Sequence, residues 1–307
     1  IISMIIKAQA KLNLAIDLIG KRNDGYHDID MISIPLELHD CLEIDEISFG
    51  NETFITADDV SLVCDKSNTV HKAFNIMKER YDIKKPYRIQ IYKNIPTQAG
   101  LAGGSADAAC LINGLNYSKK LNVSKEELAK IGLEIGADVP YCIYNVPARV
   151  QGIGDKIIPI KGEYNFFVLI VKPQEGLKTA EVYQKSDDIE IEYHPDIEGL
   201  SKLLTQNPTI DQIAPYLYNG LRPAAENLCP EIITILDNMK KIGLCACEMS
   251  GSGSACFALT QNEKELDKAY KYFQKLGYTA IKTIATNHPH TSKDFFKRLF
   301  HINKYEI

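Results

Sequence analysis

The sequence predicts a two-domain α/β fold, an α+β arrangement of mixed helices and strands divided between residues 1–160 and 161–307. A strand pattern over 88–92 leads through a glycine-rich turn directly into an Ala- and Leu-rich helix. The last part of the chain has a β-α-β pattern, which is typical of an α+β domain. The hydrophobic pattern changes near residue 160, and 307 residues are enough for one large or two ordinary domains.

Alternating or apolar stretches predict the strands of the first half. These strands are 4–18, 29–44, 88–92 and a hairpin over 148–160. Residues 51–66 are expected to be loop. Ser67 or Asn68 is expected to cap the first helix, and the second covers 106–115. Ser124 and Glu127 form a capping-box pattern for a third helix, which should end at Gly136.

The second half is expected to contain strands at 166–171, 246–259 and 279–285, the middle one interrupted by the glycine-serine stretch 250–254. Pro230 should start a helix that ends at Gly243, and a further helix follows around 266–276. The polar segment 187–215 is expected to be rich in loops.

Composition excludes several classes of function. The hydrophobic content of 45% and the charged content of 24% are typical of a soluble globular protein. A net charge of −5 and a pI near 5.9 give no general attraction to nucleic acid or to an anionic membrane, so any phosphate affinity must be local. No apolar run reaches the length of a membrane span.

The cysteines and the N-terminus favour a cytoplasmic protein. The eight cysteines are scattered and form no Cys-x-x-Cys, which favours reduced thiols over zinc or disulfides. His288-Pro289-His290 is a possible metal pair, but such a pair is more often plain surface, and no metal site is expected. The first residues lack the layout of a signal peptide.

The glycine-rich turn at 93–105 has the properties of a phosphate-binding loop. A helix N-terminus presents unpaired N–H groups and a partial positive charge, and glycines let the main chain approach a ligand closely. Phosphate is the natural ligand of such a site. The pattern does not fit the P-loop, because Ser105 and Ala106 follow Gly104, and it does not fit the dinucleotide fingerprint. A tight turn without a ligand remains an alternative.

This turn resembles the phosphate loop of the GHMP kinases, a family named for galactokinase, homoserine kinase, mevalonate kinase and phosphomevalonate kinase. Their pattern is Pro, three variable residues and Gly-Leu-Gly/Ala-Gly-Gly-Ser-Ser. The resemblance implies ATP binding by Pro96, Thr97, Gln98, Ala99, Gly100, Leu101, Ala102, Gly103, Gly104, Ser105 and Ala106. Ala106 replaces the usual second serine, which leaves Ser105 to supply the hydroxyl.

Four more motifs occur in the order found in one branch of this family. They are 10–14 (Ala-Lys-Leu-Asn-Leu), 21–27 (Lys-Arg-Asn-Asp-Gly-Tyr-His), 136–140 (Gly-Ala-Asp-Val-Pro) and 249–253 (Met-Ser-Gly-Ser-Gly). That branch phosphorylates the 2-hydroxyl of a cytidine diphosphate sugar alcohol in the non-mevalonate isoprenoid pathway. The resemblance also implies a ribosomal-protein-S5-like N-terminal ATP domain and a ferredoxin-like C-terminal domain.

The resemblance implies a role for each matching residue. Asp138 would be the general base, Lys11 would keep it ionised and stabilise developing charge, and Asn13 would orient the acceptor alcohol. From the residues alone, Lys11 could instead face solvent, and Asp138 could be an ordinary helix N-cap. Mg²⁺ would accompany ATP, held largely by phosphates and water.

The same resemblance assigns the two ends of the substrate site. Tyr26 and His27 would bind cytosine, and Tyr183 would cover its other face in a segment that begins at Thr179. The alternatives are that 26–27 only closes a hairpin and that Tyr183 is a core residue. Residues near ATP would also include Asn68, Lys93, Ser250, Gly251, Ser252 and Gly253. Asn68 could equally be a helix cap, Lys93 a surface residue and 250–254 a flexible hairpin.

Two rival functions remain open on the sequence. The first is another GHMP kinase with a different small alcohol as substrate, which the Tyr26-His27 pair disfavours. The second is a catalytically inactive nucleotide-binding protein, which Lys11, Ser105 and Asp138 disfavour and Ala106 slightly favours. A monomer or a homodimer is expected, with no nucleic-acid or membrane partner.

Overall fold

Two long antiparallel strands form the centre of the fold. The computed structural model describes residues 3–48, 50 and 52–286. β1 (Ser3–Lys21) pairs with β2 (His27–Glu46) along their whole length, and the register shifts between Gln9 and Lys11 and between Asn13 and Ala15. Such bulges bend a strand and redirect its side chains. The two bulges therefore bend β1 on either side of the segment that carries Lys11 and Asn13.

The remaining elements follow in chain order. The first half contains β3 (Phe54–Ala57), α1 (Thr69–Arg80), β4 (Tyr87–Tyr92), α2 (Gly103–Ser118), α3 (Lys125–Leu133), α4 (Val139–Tyr144), β5 (Ala148–Gly152) and β6 (Lys156–Pro159). The second half contains β7 (Asn165–Lys172), α5 (Thr179–Ser186), α6 (Ile197–Leu204), α7 (Ile210–Ile213), a 3₁₀ turn (Ala214–Tyr216), β8 (Tyr218–Asn219), α8 (Arg222–Leu228), α9 (Glu231–Lys241), β9 (Cys247–Met249), β10 (Cys256–Thr260), α10 (Glu263–Lys275) and β11 (Thr279–Thr286).

One sheet connects the two halves of the chain. Its main path is β3-β4-β2-β11-β7-β10-β9, and β11 joins β2 where Ala285 pairs with Leu36. The two hydrophobic clusters each contain residues from both halves. The boundary near residue 160 stays a prediction, since neither the sheet nor the core is divided there.

The strands predicted from alternation are confirmed, and so is the hairpin of β5 and β6. Asn68 caps α1 by accepting a hydrogen bond from the Val70 N–H at 2.9 Å, as predicted. Ser124 caps α3 by accepting from Glu127 N. However, α3 ends at Leu133 rather than Gly136, and α2 begins at Gly103, three residues before the predicted start.

One loop prediction is wrong, and a second, for a segment that is indeed rich in loops, missed two short helices. Residues 51–66 contain β3, which pairs in parallel with β4 and is held by that pairing. Residues 187–215 contain α6 and α7, whose Ile197, Leu200, Leu204 and Ile213 are buried in the core. None of the helices in the described part of the chain is both long and apolar enough to cross a membrane.

Candidate active site

A cleft of about 990 Å³ brings most of the predicted site residues together. Its walls come from β1, the β1–β2 turn, the glycine-rich turn before α2, the start of α4 and the face of α5. Three predicted residues are not part of its wall, and they are Ala106, Ser250 and Gly253. The sequence did not single out Asp107 or Asp187, which also line it.

Lys11 is buried at one wall of this cleft. Lys11 is only 3% exposed, so the alternative that its side chain faces solvent is wrong. The Nζ atom donates to Asn13 Oδ1 at 2.5 Å and lies 3.6 Å from Asp138 Oδ1. Asn13 in turn donates from Nδ2 to Ser33 Oγ at 2.9 Å, which fixes the orientation of its amide. A buried ammonium group thus faces a carboxylate at the cleft surface.

Asp138 occupies the N-cap position of α4, but its side chain makes no capping hydrogen bond. The carboxylate is 38% exposed and faces Lys11 instead. A cap residue normally accepts from the second or third N–H of its helix. The side chain is therefore free to take part in chemistry, which favours the functional interpretation over the capping one.

The start of α2 leaves backbone donors open to the cleft. Ala102 has a φ of +59° and precedes the helix without any side-chain cap. Because the first N–H groups of a helix have no partner within it, those at Gly103, Gly104 and Ser105 can bind an anion. Ala106 is different, because its N–H donates to Ala102 O at 2.8 Å and its side chain is buried.

The second glycine-rich loop packs directly on the first. Gly100 has a φ of +72°, and a Cβ there would overlap the carbonyl oxygen of Ser250. Ser250 Oγ donates to Gly100 O at 3.2 Å. Asn219, which sequence reasoning missed, donates from Nδ2 to Met249 O and to Gly251 O, each at 2.8 Å. The loop is therefore fixed in place rather than a flexible hairpin.

Lys93 lies between two buried carboxylates. Its side chain is 7% exposed, so the surface alternative is wrong; its Nζ contacts Asp40 and lies 2.9 Å from Asp107 Oδ2. Burial raises the pKa of Asp107 to about 7 despite the attraction of Lys93. Asp40 also accepts from the N–H groups of Asn94 and Ile95, at 2.6 and 2.8 Å. The cluster anchors the turn that enters the glycine loop.

Aromatic and histidine side chains form the other end of the cleft. The rings of His27 and Tyr183 have centroids 5.2 Å apart and are tilted by 38°. Burial raises the pKa of the Tyr183 hydroxyl, and the negative charge of Asp138 adds to this shift. Tyr26 is 58% exposed at the cleft mouth, and Thr179 Oγ1 lies 2.9 Å from Ser252 Oγ. The side chain of Asn68 is already engaged, since its Nδ2 donates to Val63 O at 2.8 Å.

Family models agree with this architecture. The GHMP kinases N terminal domain matches residues 68–146, and the GHMP kinases C terminal model matches 192–279. A protein of Bacillus subtilis (strain 168) named 4-diphosphocytidyl-2-C-methyl-D-erythritol kinase is 39% identical over 86% of this chain and 90% of its own. The chain belongs to the GHMP kinase family. A kinase of the same name from Clostridium beijerinckii is 38% identical over 89% of this chain and 96% of its own.

Solved structures of GHMP kinases have the same fold. A crystal structure of 4-(cytidine 5'-diphospho)-2C-methyl-D-erythritol kinase matches with a TM-score of 0.77 and 25% identity, over 92% of this chain and 99% of that one. A homoserine kinase from Cytophaga hutchinsonii matches with a TM-score of 0.72 at 17% identity, over 93% and 96% of the two chains, and shows the fold alone. The predicted family and fold class are confirmed, and the kinase is an ATP-dependent enzyme acting on a small molecule.

Proposed function

We propose that this kinase transfers the γ-phosphoryl group of ATP to the 2-hydroxyl of 4-diphosphocytidyl-2-C-methyl-D-erythritol, in the non-mevalonate isoprenoid pathway. The observation that carries the proposal is one cleft that contains three parts: an anion-binding helix start, the Lys11–Asp138 pair, and the pocket of His27 and Tyr183. The names of the relatives support the same substrate.

The Lys11–Asp138 pair would act on the acceptor hydroxyl. Phosphoryl transfer requires positioning, charge neutralisation and a group that orients or deprotonates the acceptor. Asp138 is the exposed partner and takes the proton, while Lys11 stabilises negative charge on the transferred group. Asn13, fixed by Ser33 and Lys11, orients the alcohol.

ATP would place its phosphates at the open N–H groups of α2, with Ser105 supplying a hydroxyl. The second glycine loop, through Gly251 and Ser252, closes the opposite side. Ser105 lines this part of the cleft, and its hydroxyl is an oxygen donor of the kind that Mg²⁺ prefers. Among the residues that the structure describes, no group of three or more His, Cys, Asp or Glu could hold a metal, and 288–290 lies outside them. As proposed from the family resemblance, Mg²⁺ would bind mainly through phosphates and water and neutralise the phosphate charge.

The direct test is a product assay. The protein is incubated with ATP, Mg²⁺ and the cytidine diphosphate alcohol, and the phosphorylated alcohol is identified by mass spectrometry and phosphorus NMR. Formation of the 2-phosphate supports the proposal. ATP binding without transfer would indicate an inactive nucleotide-binding protein, and transfer only to another alcohol would indicate a different GHMP kinase. The cytoplasmic location and the monomeric or homodimeric state stay predictions from the sequence.

A further inference from the structure

Asp187 joins two elements at the cytosine end of the cleft. It follows directly after α5, and its Oδ1 lies 2.7 Å from Nε2 of His27, the first residue of β2. The His27 side chain is only 10% exposed, so its ring is held in the wall of the cleft. Asp187 also pairs with Lys21 at the end of β1. The carboxylate therefore links the turn between β1 and β2 to the helix that carries Tyr183.

We propose that Asp187 is a positioning residue, which fixes the tautomer of His27 and so makes the site prefer cytosine to uracil. This inference rests on the proposed function, because it takes His27 as the side chain that meets the edge of the base. Asp187 lies outside the motifs that were recognised in the sequence.

The chemistry follows from the donors and acceptors of the two groups. An ionised carboxylate can only accept hydrogen bonds, so the proton of the contact belongs to His27 Nε2. In the neutral imidazole, Nδ1 then carries the lone pair and accepts. Cytosine has an amino group at the position where uracil has a carbonyl oxygen. A lone pair on Nδ1 accepts from that amino group and repels the carbonyl.

The neighbours of Asp187 keep it in this role. Its hydrogen bond from Lys21, followed by that from His27, lowers the pKa of the carboxyl group, so it stays ionised and cannot donate. Tyr183 contacts the His27 ring at a centroid distance of 5.2 Å and limits its rotation. Tyr183 thus limits the orientation of the His27 ring, while Asp187 sets which ring nitrogen carries the proton.

The first experiment compares two asparagine variants. In Asp187→Asn the new amide can donate to Nε2, which allows the proton to move to Nδ1. The ratio of kcat/KM for the cytidine substrate to that for its uridine analogue should fall by about tenfold. This is the effect expected when one hydrogen bond between enzyme and substrate is lost or becomes repulsive. The control is Asp188→Asn on the next residue, whose carboxylate is 68% exposed and pairs with Lys185 at 3.3 Å. Its ratio should equal that of the wild type.

The second experiment reads the tautomer without substrate. Side-chain ¹⁵N NMR of the full chain, with His27→Gln to assign the signal, should show His27 protonated at Nε2 and bare at Nδ1, and a shifted population in Asp187→Asn. A wild-type ring protonated at Nδ1 and bare at Nε2 would overturn the inference. So would an unchanged cytidine-to-uridine ratio in Asp187→Asn, and in that case the proposed function survives. A wild-type enzyme that phosphorylates both analogues equally would overturn the inference together with the cytosine specificity.

Discussion

At the residue scale, Lys11 shows how a site differs from its surroundings. A lysine in an alternating strand would normally point to solvent, because burying an unpaired ammonium group is costly. Here the ammonium group is buried and satisfied by Asn13, with the carboxylate of Asp138 3.6 Å away. A buried cation beside a partly exposed carboxylate is an arrangement that serves chemistry better than stability.

Replacing Asp138 by asparagine should lower kcat by at least ~10²-fold, because general-base catalysis contributes roughly 10²–10⁴-fold. The fold should be unaffected, since the side chain makes no capping bond to α4. Steady-state kinetics and thermal unfolding test both parts. Asp237→Asn, an exposed aspartate of α9, is the control and should match the wild type. If the kcat of Asp138→Asn stayed within about threefold of the wild-type value, Asp138 would not be the general base.

Asp107 should make stability depend on pH. Its pKa rises from 3.8 to about 7 on folding because of burial, so between these values the folded state binds more protons than the unfolded one. The free energy of unfolding then falls as pH increases through this window. Asp107→Asn should flatten that fall, whereas Asp237→Asn should not. Urea unfolding at several pH values measures this dependence. The prediction would be contradicted if the free energy of unfolding changed with pH equally in Asp107→Asn and in the wild type.

The sequence predicted cleft residues that belong to short motifs, and it missed cleft and loop residues that are defined only by distant contacts. Lys11, Asp138 and Gly103 stand in recognisable local patterns. By contrast, Asp187 meets His27 across 160 positions of the chain, and Asn219 meets Gly251 across 32. A lone Asp or Asn in a polar segment has many possible partners. Only the folded chain shows which of them it contacts.

At the element scale, two glycines of the first glycine-rich loop have different physical requirements. Gly100 has a left-handed backbone and no room for a Cβ beside Ser250, whereas a Cβ at Gly104 would meet only Thr69 Oγ1, at 3.3 Å. The first glycine is therefore required by packing. The second glycine has only this contact beside its Cβ position, which is consistent with the proposed phosphate site.

Gly104→Val should weaken ATP binding with little loss of stability. The side chain would obstruct the phosphate at the start of α2, and losing one hydrogen bond to a charged group costs about 1.5–3 kcal/mol, roughly ten- to a hundredfold in affinity. Calorimetric titration with ATP measures this. Gly100→Ala is the contrasting variant, because it should lower the melting temperature. Unchanged ATP affinity in a folded Gly104→Val protein would mean that the loop is only a turn.

Elements with their own hydrophobic periodicity were predictable, and elements that depend on partners were not. β1, β2 and β7 show clear strand patterns, and Asn68 has the capping chemistry of α1. β3 has four residues and is defined by its pairing with β4. The pattern of α6 was obscured by the polar segment around it, although three of its eight residues are buried. Short elements gain most of their stability from tertiary packing.

At the scale of the whole molecule, the cleft is assembled from both halves of one sheet-linked body. The first half supplies Lys11, Asp138 and the phosphate loop, and the second supplies Tyr183, Asp187 and the loop at Gly251. The junction of β2 with β11 at Leu36 and Ala285 makes the sheet continuous between them. The sheet therefore connects the groups that we propose for recognition with those that we propose for chemistry.

This arrangement predicts that methylerythritol phosphate without its cytidine half is a very poor substrate. Binding energy from a remote group can position the reacting end, so a truncated substrate loses kcat/KM and often kcat as well. Sites built on hydrogen bonds reject analogues that leave buried polar groups unpaired, by up to ~10⁴–10⁵-fold. Measuring kcat and KM for the full and the truncated alcohol checks this. Free cytidine diphosphate added with the truncated alcohol is the control, and it should not restore the rate, because the two pieces are no longer joined. If the truncated alcohol reacted within tenfold of the full substrate, recognition would lie at the reacting end, near Asn13, rather than at Tyr26 and His27.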